Sequence, residues 1–268
     1  MSDRYAVIGN PIAHSKSPEI HTLFAKQMAE DIVYTKLLAP LNGFHEIVSQ
    51  FIAEGGKGLN VTVPFKFEAF NLAKKHTPRA VAAGAVNTLC FEGDDIIGDN
   101  TDGAGLVADI TQNLGISLTG ARILLLGAGG AAYGVMLPLL EQKPEILHVA
   151  NRTLDKASLL ASSFASYGNT ASSRYETLNE HYDVVINATS AGLQQAMPPV
   201  PAIVFGQGTL ALDMVYASEP TVFMTFAKQQ GAQVRDGFGM LLEQAAESFL
   251  FWRGVRPNTQ SIFTYFGR

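Results

Sequence analysis

The stretch Ala121-Arg-Ile-Leu-Leu-Leu-Gly127, running without a break into Gly127-Ala-Gly-Gly-Ala-Ala132, constrains this chain more than any other. The apolar run Ile123–Leu126 suits a strand buried on both faces, and the glycine-rich turn leads into a helix-compatible segment. The pattern is G-x-G-x-x-A. Gly127 permits the tight turn, Gly129 lets backbone approach a pyrophosphate, and Ala132 allows close packing of helix on strand. The helix N-terminus adds free N–H groups and the positive end of a dipole. With Ala128, Gly130 and Ala131, these residues form a candidate phosphate cradle. A second strand over Ile146–Ala150 follows in the order that a dinucleotide-binding unit requires.

The end of that second strand selects the dinucleotide. A site for NAD usually places Asp or Glu there to hold a ribose 2′-hydroxyl. This chain has Asn151-Arg152-Thr153 instead, about 20 residues past the glycine turn, where that contact belongs. A guanidinium pairs with a 2′-phosphate through parallel charge-assisted hydrogen bonds, and the threonine hydroxyl adds a donor, so the expected cofactor is NADP. Further strands at Tyr182–Ala188, Thr209–Val215 and Gln233–Arg235 complete a parallel sheet. They end in Thr189-Ser190-Ala191-Gly192, Tyr216-Ala217 and Asp236-Gly237, and the carboxyl ends of such strands line the ligand crevice.

The first part of the chain also reads as α/β. Strands are expected at Tyr5–Gly9, Val33–Leu38 and Gly58–Val63, with helices after Pro18 and from Gly43 to Glu54. Residues 85–100 read as strand, turn and strand, and a helix is expected from Thr101 to about Leu114. The 268 residues carry 47% apolar and 16% charged side chains with a net charge of −5. That composition excludes disorder and gives no electrostatic reason for a nucleic-acid or anionic-membrane partner. Cys90 is the single cysteine, which excludes an internal disulfide and thiolate zinc clusters, and its apolar surroundings make it a core residue. The histidines lack ligand spacing, so no metal is expected, and His14 is expected to be structural. No signal segment or membrane span is visible, and a cytosolic location is expected.

Several separated motifs, in order, carry a family resemblance. They are Ile8-Gly-Asn-Pro-Ile-Ala-His-Ser-Lys-Ser-Pro18, Leu59-Asn-Val-Thr-Val-Pro-Phe-Lys66, Ala83-Gly-Ala-Val-Asn-Thr88 and Gly98-Asp-Asn-Thr-Asp-Gly103. The glycine turn and Asn151-Arg-Thr153 follow, then Ile186-Asn-Ala-Thr-Ser190, Asp213-Met-Val-Tyr216, Asp236-Gly-Phe-Gly-Met240 and Glu243-Gln-Ala-Ala246. Over nearly its whole length the chain resembles the shikimate dehydrogenases. The resemblance implies a split α/β substrate domain (1–101 plus 238–268), an inserted Rossmann-like NADP domain (102–237), and a cleft between them. It implies NADPH-dependent, reversible reduction of 3-dehydroshikimate to shikimate, a step of aromatic amino-acid biosynthesis, by a monomer or homodimer.

The resemblance also implies roles. Lys66 and Asp102 form the catalytic pair, the lysine moving a proton and the carboxylate orienting the ammonium. Ser15 and Ser17, with Tyr216, recognise the substrate carboxylate, while Thr62, Asn87 and Gln244, with Asn60 as a neighbour, meet ring hydroxyls. Thr189, Met214, Gly237 and Met240 join the glycine turn and Asn151-Arg152-Thr153 as cofactor contacts. Each residue also has a plainer reading: a strand-end lysine, a helix cap at Asp102, turn serines, a solvated Gln244. Two departures stand out: the order Pro220-Thr221 at the start of a helix, and an uncharged loop from Gly192 to Val200 that is a candidate for closing over the nicotinamide. The alternatives in function are a dual-specificity quinate/shikimate dehydrogenase and a non-catalytic NADP-binding sensor.

Overall fold

The computed structural model describes residues 2–189, 196–217 and 219–268. The chain forms two compact units, residues 1–105 with 242–268, and residues 106–241. The divisions fall inside two helices, α5 (Asp102–Ala108) and α9 (Phe238–Arg253), rather than at residues 101 and 238 where the sequence places them.

In the first unit the sheet order is β2-β1-β3-β5-β6-β4. β1 (Asp3–Gly9) pairs in parallel with β2 (Ile32–Leu38) and with β3 (Gly56–Val61). β5 (Thr88–Glu92) runs antiparallel to both β3 and β6 (Asp95–Asp99), and β4 (Lys75–His76) lies parallel to β6. β1 reads as a continuous apolar run because both faces are covered. Ala6 and Ile8 pack with Phe44, Val48 and Phe51 of α2 (Phe44–Ala53), whereas Tyr5 and Val7 pack with Ile12, Tyr34 and Trp252.

Strand direction decides where chemistry collects. β1, β3 and β6 all point the same way, so their carboxyl ends share one edge of the sheet with the amino end of β5. Ser15 and Ser17 follow β1, Thr62 and Lys66 follow β3, Asn87 immediately precedes β5, and Asp102 follows β6. Lys66 opens α3 (Lys66–Leu72), and α1 (Ser17–Met28) carries Pro18 in its first turn, as expected. α4 (Pro78–Ala83) supplies Arg79, which grips Asp99 at the end of β6.

The second unit is a six-stranded all-parallel sheet, β12-β11-β10-β7-β8-β9. Counted within the unit, this is the doubly wound order 3-2-1-4-5-6 read from the other side. β7 (Arg122–Leu126), β8 (Ile146–Ala150), β10 (Val184–Asn187), β11 (Leu210–Asp213) and β12 (Gln233–Arg235) match expected strands. β9 (Thr170–Ser173) was not expected: its small polar residues show no alternation, and pairing with β8 makes it a strand. The helix expected to reach Leu114 stays α-helical only through α5 and continues as a π-turn over Asp109–Asn113. There the buried Asp109 carboxylate meets Arg235 of β12, with its Oδ1 2.6 Å from the guanidinium.

The Pro220-Thr221 order does not spoil the helix after it. Thr221 is the N-cap of α8 (Val222–Gln229), its hydroxyl accepting from Met224 N and donating to Asp213. Cys90 is buried, and burial with neighbouring Glu92 pushes its thiol up to about 11. Among the described residues no helix is long and apolar enough to cross a membrane.

Candidate active site

At the shared edge of the first sheet, Lys66 Nζ donates to Asp102 Oδ2. The lysine side chain is 19% exposed and the carboxylate 8%, so the pair is largely shielded but still reachable from solvent. Asp102 Oδ1 accepts from Asn87 Nδ2 at 2.8 Å, which holds both carboxylate oxygens. The reading of Asp102 as a helix cap is corrected here. Asn100 Oδ1 accepts from the Asp102 backbone N–H at 3.2 Å, while the Asp102 oxygens face Lys66 and Asn87.

Asn87 is nearly sealed. Its Nδ2 also approaches Thr101 Oγ1 at 2.8 Å and Gln244 Oε1 at 3.2 Å, and its Oδ1 accepts from Thr101 N at 2.8 Å. Gln244 is buried against this cluster and is not a solvated helix side chain. It reaches the cluster because α5 and α9 touch at Gly105, where an added Cβ would lie 2.5 Å from Gln244 N. Asn60, expected as a neighbour of the ring-hydroxyl site, is fully engaged within the protein by Tyr34, Thr88 and Ser248.

Ser15 and Ser17 form a compact turn ahead of α1. Ser15 Oγ accepts from Ser17 N at 3.3 Å and lies 3.2 Å from Ser17 Oγ, which places the two hydroxyls side by side. Thr62 is held by its backbone, donating to Ile8 O and accepting from Phe65 N. His14, expected to be structural, is exposed instead. Tyr216 belongs to the second unit and follows β11, part-buried.

In the second unit the glycine turn has the geometry of a phosphate cradle. Gly127 sits at φ 107°, a left-handed conformation that favours glycine, and its N–H bonds Ala150 O of β8. Ala128 is part-buried, and exposed Gly129 caps the helix α6 (Gly130–Glu141), whose first turn holds Gly130, Ala131 and the fully buried Ala132. A Cβ on Gly129 would meet nothing within 4 Å, so the space before the helix N-terminus is open for a pyrophosphate.

At the end of β8, Asn151 Nδ2 donates to Thr153 O and Asn151 N bonds Ser173 O of β9. Arg152 is exposed and forms no ion pair among the described residues. Thr153 is the N-cap of α7 (Leu154–Ser163) without using its hydroxyl as a cap, so both side chains are available to an anion. Thr189 Oγ1 donates to Asn187 Oδ1 at 2.7 Å, fixing the turn after β10. Met214 N bonds Asn187 O, Gly237 N bonds Val215 O, and Met240 is buried in the first turn of α9. Ser190, Ala191 and Gly192, and the first part of the uncharged loop that follows, lie outside the described residues. The residues present therefore suit NADP: open amides for a diphosphate, and a guanidinium with no acidic partner among the described residues beside a hydroxyl not used as a cap, for a 2′-phosphate.

Sequence comparison agrees with this geometry. Residues 7–89 match the shikimate dehydrogenase substrate binding domain, residues 108–195 the shikimate/quinate 5-dehydrogenase domain, and residues 237–262 the shikimate 5′-dehydrogenase C-terminal domain. The chain belongs to the shikimate dehydrogenase family. It is 58% identical to the shikimate dehydrogenase (NADP(+)) of Herminiimonas arsenicoxydans, covering 98% of this chain and 96% of that one. Among solved structures, the Ael1 enzyme of Pseudomonas putida superposes with a TM-score of 0.94 at 47% identity, over 98% of each chain. Shikimate 5-dehydrogenase of Thermus thermophilus, solved with NADP(H) and shikimate, gives 0.87 at 32% identity over 97% of each chain.

What sequence reasoning missed is the shell behind the pair. Tyr34 and Ser248 lie outside every motif, Thr88 and Thr101 lie inside motifs without a role assigned to them, and their hydrogen bonds to Asn60 and Asn87 reveal all four.

Proposed function

We propose that this protein is an NADP-dependent shikimate dehydrogenase, catalysing the reversible reduction of 3-dehydroshikimate to shikimate. The observation that carries the reading is the shielded Lys66–Asp102 pair, with Asn87 fixing the second carboxylate oxygen. A binding protein has no need of a charged pair held this way.

When bound, NADP(H) supplies or accepts the hydride at the substrate carbon. The chain supplies the rest. The Lys66 ammonium has three hydrogens, of which one engages Asp102, leaving donors for the substrate oxygen. In the reducing direction it delivers a proton as the alkoxide develops and becomes the neutral amine, and in the oxidising direction that amine takes the hydroxyl proton and returns to the ammonium. Asp102 sets the direction of the ammonium. The adjacent Ser15 and Ser17 hydroxyls hold the substrate carboxylate, with Tyr216 as a further contact, and Thr62 and Gln244 meet ring hydroxyls. Asn87 already uses its amide hydrogens on Asp102 and Thr101, so it serves the substrate chiefly by holding Asp102. Arg152 and Thr153, with Asn151, hold the 2′-phosphate, the glycine turn the diphosphate, and Thr189, Met214, Gly237 and Met240 the remainder of the cofactor.

The test is reduction of NADP or NAD, followed at the reduced-nicotinamide absorbance, with shikimate or quinate as substrate. Fast turnover confined to shikimate with NADP is the expected result. Comparable rates with quinate or NAD would move the protein to a dual-specificity enzyme, and no turnover in a folded, NADP-binding protein would make it a sensor. We place it in the cytoplasm as a monomer or homodimer, which fractionation and light scattering measure.

A further inference from the structure

A buried line of hydrogen bonds leads from Asp102 back into the first unit and reaches a tyrosine. Asp102, an acceptor, draws the amide N–H of Asn87, which turns the Asn87 carbonyl oxygen inward. That oxygen accepts from Thr88 Oγ1 at 2.9 Å. Thr88 Oγ1 and Ser248 Oγ in turn receive the Asn60 amide, at 3.1 Å and 2.9 Å. Asn60 Oδ1 then faces the Tyr34 hydroxyl, which donates at 2.7 Å. Ser248 Oγ closes the network by donating to Gln244 O at 3.0 Å.

The line has a single direction. Asp102 can only accept, so Asn87 must turn its amide N–H to it, and turning Asn60 over would draw the Thr88 or Ser248 hydrogen to the Asn60 oxygen and away from its present acceptor. Tyr34 donates to Asn60 at this end of the line and also meets the Ser17 side chain, and its surroundings keep the phenol protonated. The ring of His21 stacks on it at 4.3 Å between centroids and 4° between planes, Trp252 lies beyond, and burial drives the phenol well above its ordinary range. Burial likewise holds His21 down to about 3, so the stacked ring is neutral and brings no charge to the phenol.

We propose that Tyr34, acting through Asn60 and Thr88, is a positioning residue that holds Asn87 and hence Asp102 for catalysis. The inference rests on the dehydrogenase reading above. Without the Tyr34 hydroxyl, Asn60 rotates to satisfy its oxygen on Thr88 or Ser248. The Thr88 hydrogen then leaves Asn87, which keeps the Thr101 backbone N–H but loses one of the donors that aim its amide at Asp102.

The experiment compares Tyr34→Phe, Thr88→Val, Thr88→Ser and the double variant Tyr34→Phe with Thr88→Val, using shikimate and NADP. Tyr34→Phe and Thr88→Val are each expected to lower kcat about tenfold, the scale of one buried hydrogen bond, with KM for NADP unchanged. Thr88→Ser keeps the hydroxyl and is expected to retain wild-type kcat. Both single changes break the same line, so the double variant is expected to match the worse single one. Should Tyr34→Phe fail to fold, the Val and Ser variants at Thr88 still decide. Unchanged kcat in the folded variants, multiplied losses in the double variant, or no rescue by serine would overturn the inference while leaving wild-type activity, and the dehydrogenase reading, intact. An inactive wild type would overturn both.

Discussion

Lys66 and Asp102 each stand at the first residue of a helix, α3 and α5, that follows a strand of the same sheet, and the lysine donates to one carboxylate oxygen while Asn87 holds the other. The pair is therefore set by two backbone turns and one side chain. Its ammonium cannot drift without breaking a hydrogen bond that is largely shielded from water.

Removing either partner should affect chemistry more than binding. Lys66→Ala is expected to lower kcat by about 10²–10⁴-fold, the usual weight of a positioned proton donor. KM for NADP should stay near its wild-type value in steady-state kinetics. A variant that keeps its kcat would remove Lys66 from the mechanism.

Cofactor choice should follow Arg152. Its guanidinium has no acidic partner among the described residues and is free for a 2′-phosphate. Arg152→Ala is expected to raise KM for NADP by about 10–100-fold, the loss of a charge-assisted bidentate contact, and to leave NAD nearly untouched. Equal losses with both cofactors would refute the assignment.

The contact between α5 and α9 leaves no room for a methyl group. Because a Cβ at Gly105 would fall 2.5 Å from Gln244 N, Gly105→Ala must push the two backbones apart. We expect a loss of about 1–3 kcal/mol in stability by denaturant unfolding, the ordinary cost of overpacking, together with a raised KM for shikimate. Unchanged stability and KM would show that the helices can slide freely.

Breaking the ion pair at the π-turn should be costly. Asp109 is fully buried and Arg235 reaches it with two nitrogens. Arg235→Ala removes the charge partner of this buried carboxylate, leaving the Asn113 amide at 3.0 Å, and should destabilise the protein by about 3–5 kcal/mol, read from the urea midpoint. A shift of less than about 1 kcal/mol, the scale of an exposed pair, would mean that the carboxylate finds another partner.

Acid should weaken the fold through His21. Its value in the folded protein is about 3 against an ordinary 6.5. Between those limits the unfolded chain binds a proton that the native state refuses, so stability falls as pH drops below 6.5 and is unaffected by this group above it. The slope it contributes approaches about 1.4 kcal/mol per pH unit. Urea titrations at several pH values should show a shallower acid dependence in His21→Leu than in the wild type, whatever the variant's stability at neutral pH.

By itself, the sequence determined the parts whose physics is local. A buried strand such as β7 shows as the apolar run Ile123–Leu126, and the glycine turn is legible because Gly127 adopts a backbone few other residues tolerate. Asn151-Arg152-Thr153 was legible because charge and hydroxyl follow the strand directly. Lys66, Asp102, Ser15 and Ser17 were recognisable through motifs, although nothing local says that the first two touch. Tertiary structure alone decided what depends on distant pairing. β9 is a strand because β8 lies beside it, and the π-turn occurs where Asp109 meets Arg235, 126 residues away in the chain. The hydroxyls of Tyr34, Thr88 and Ser248 became one network because parallel β2–β1 and β1–β3 and antiparallel β3–β5 line up Tyr34, Asn60 and Thr88, and α9 brings Ser248 against them. A hydroxyl in sequence looks the same whether solvated or buried, and only the partner across the sheet gives it a direction.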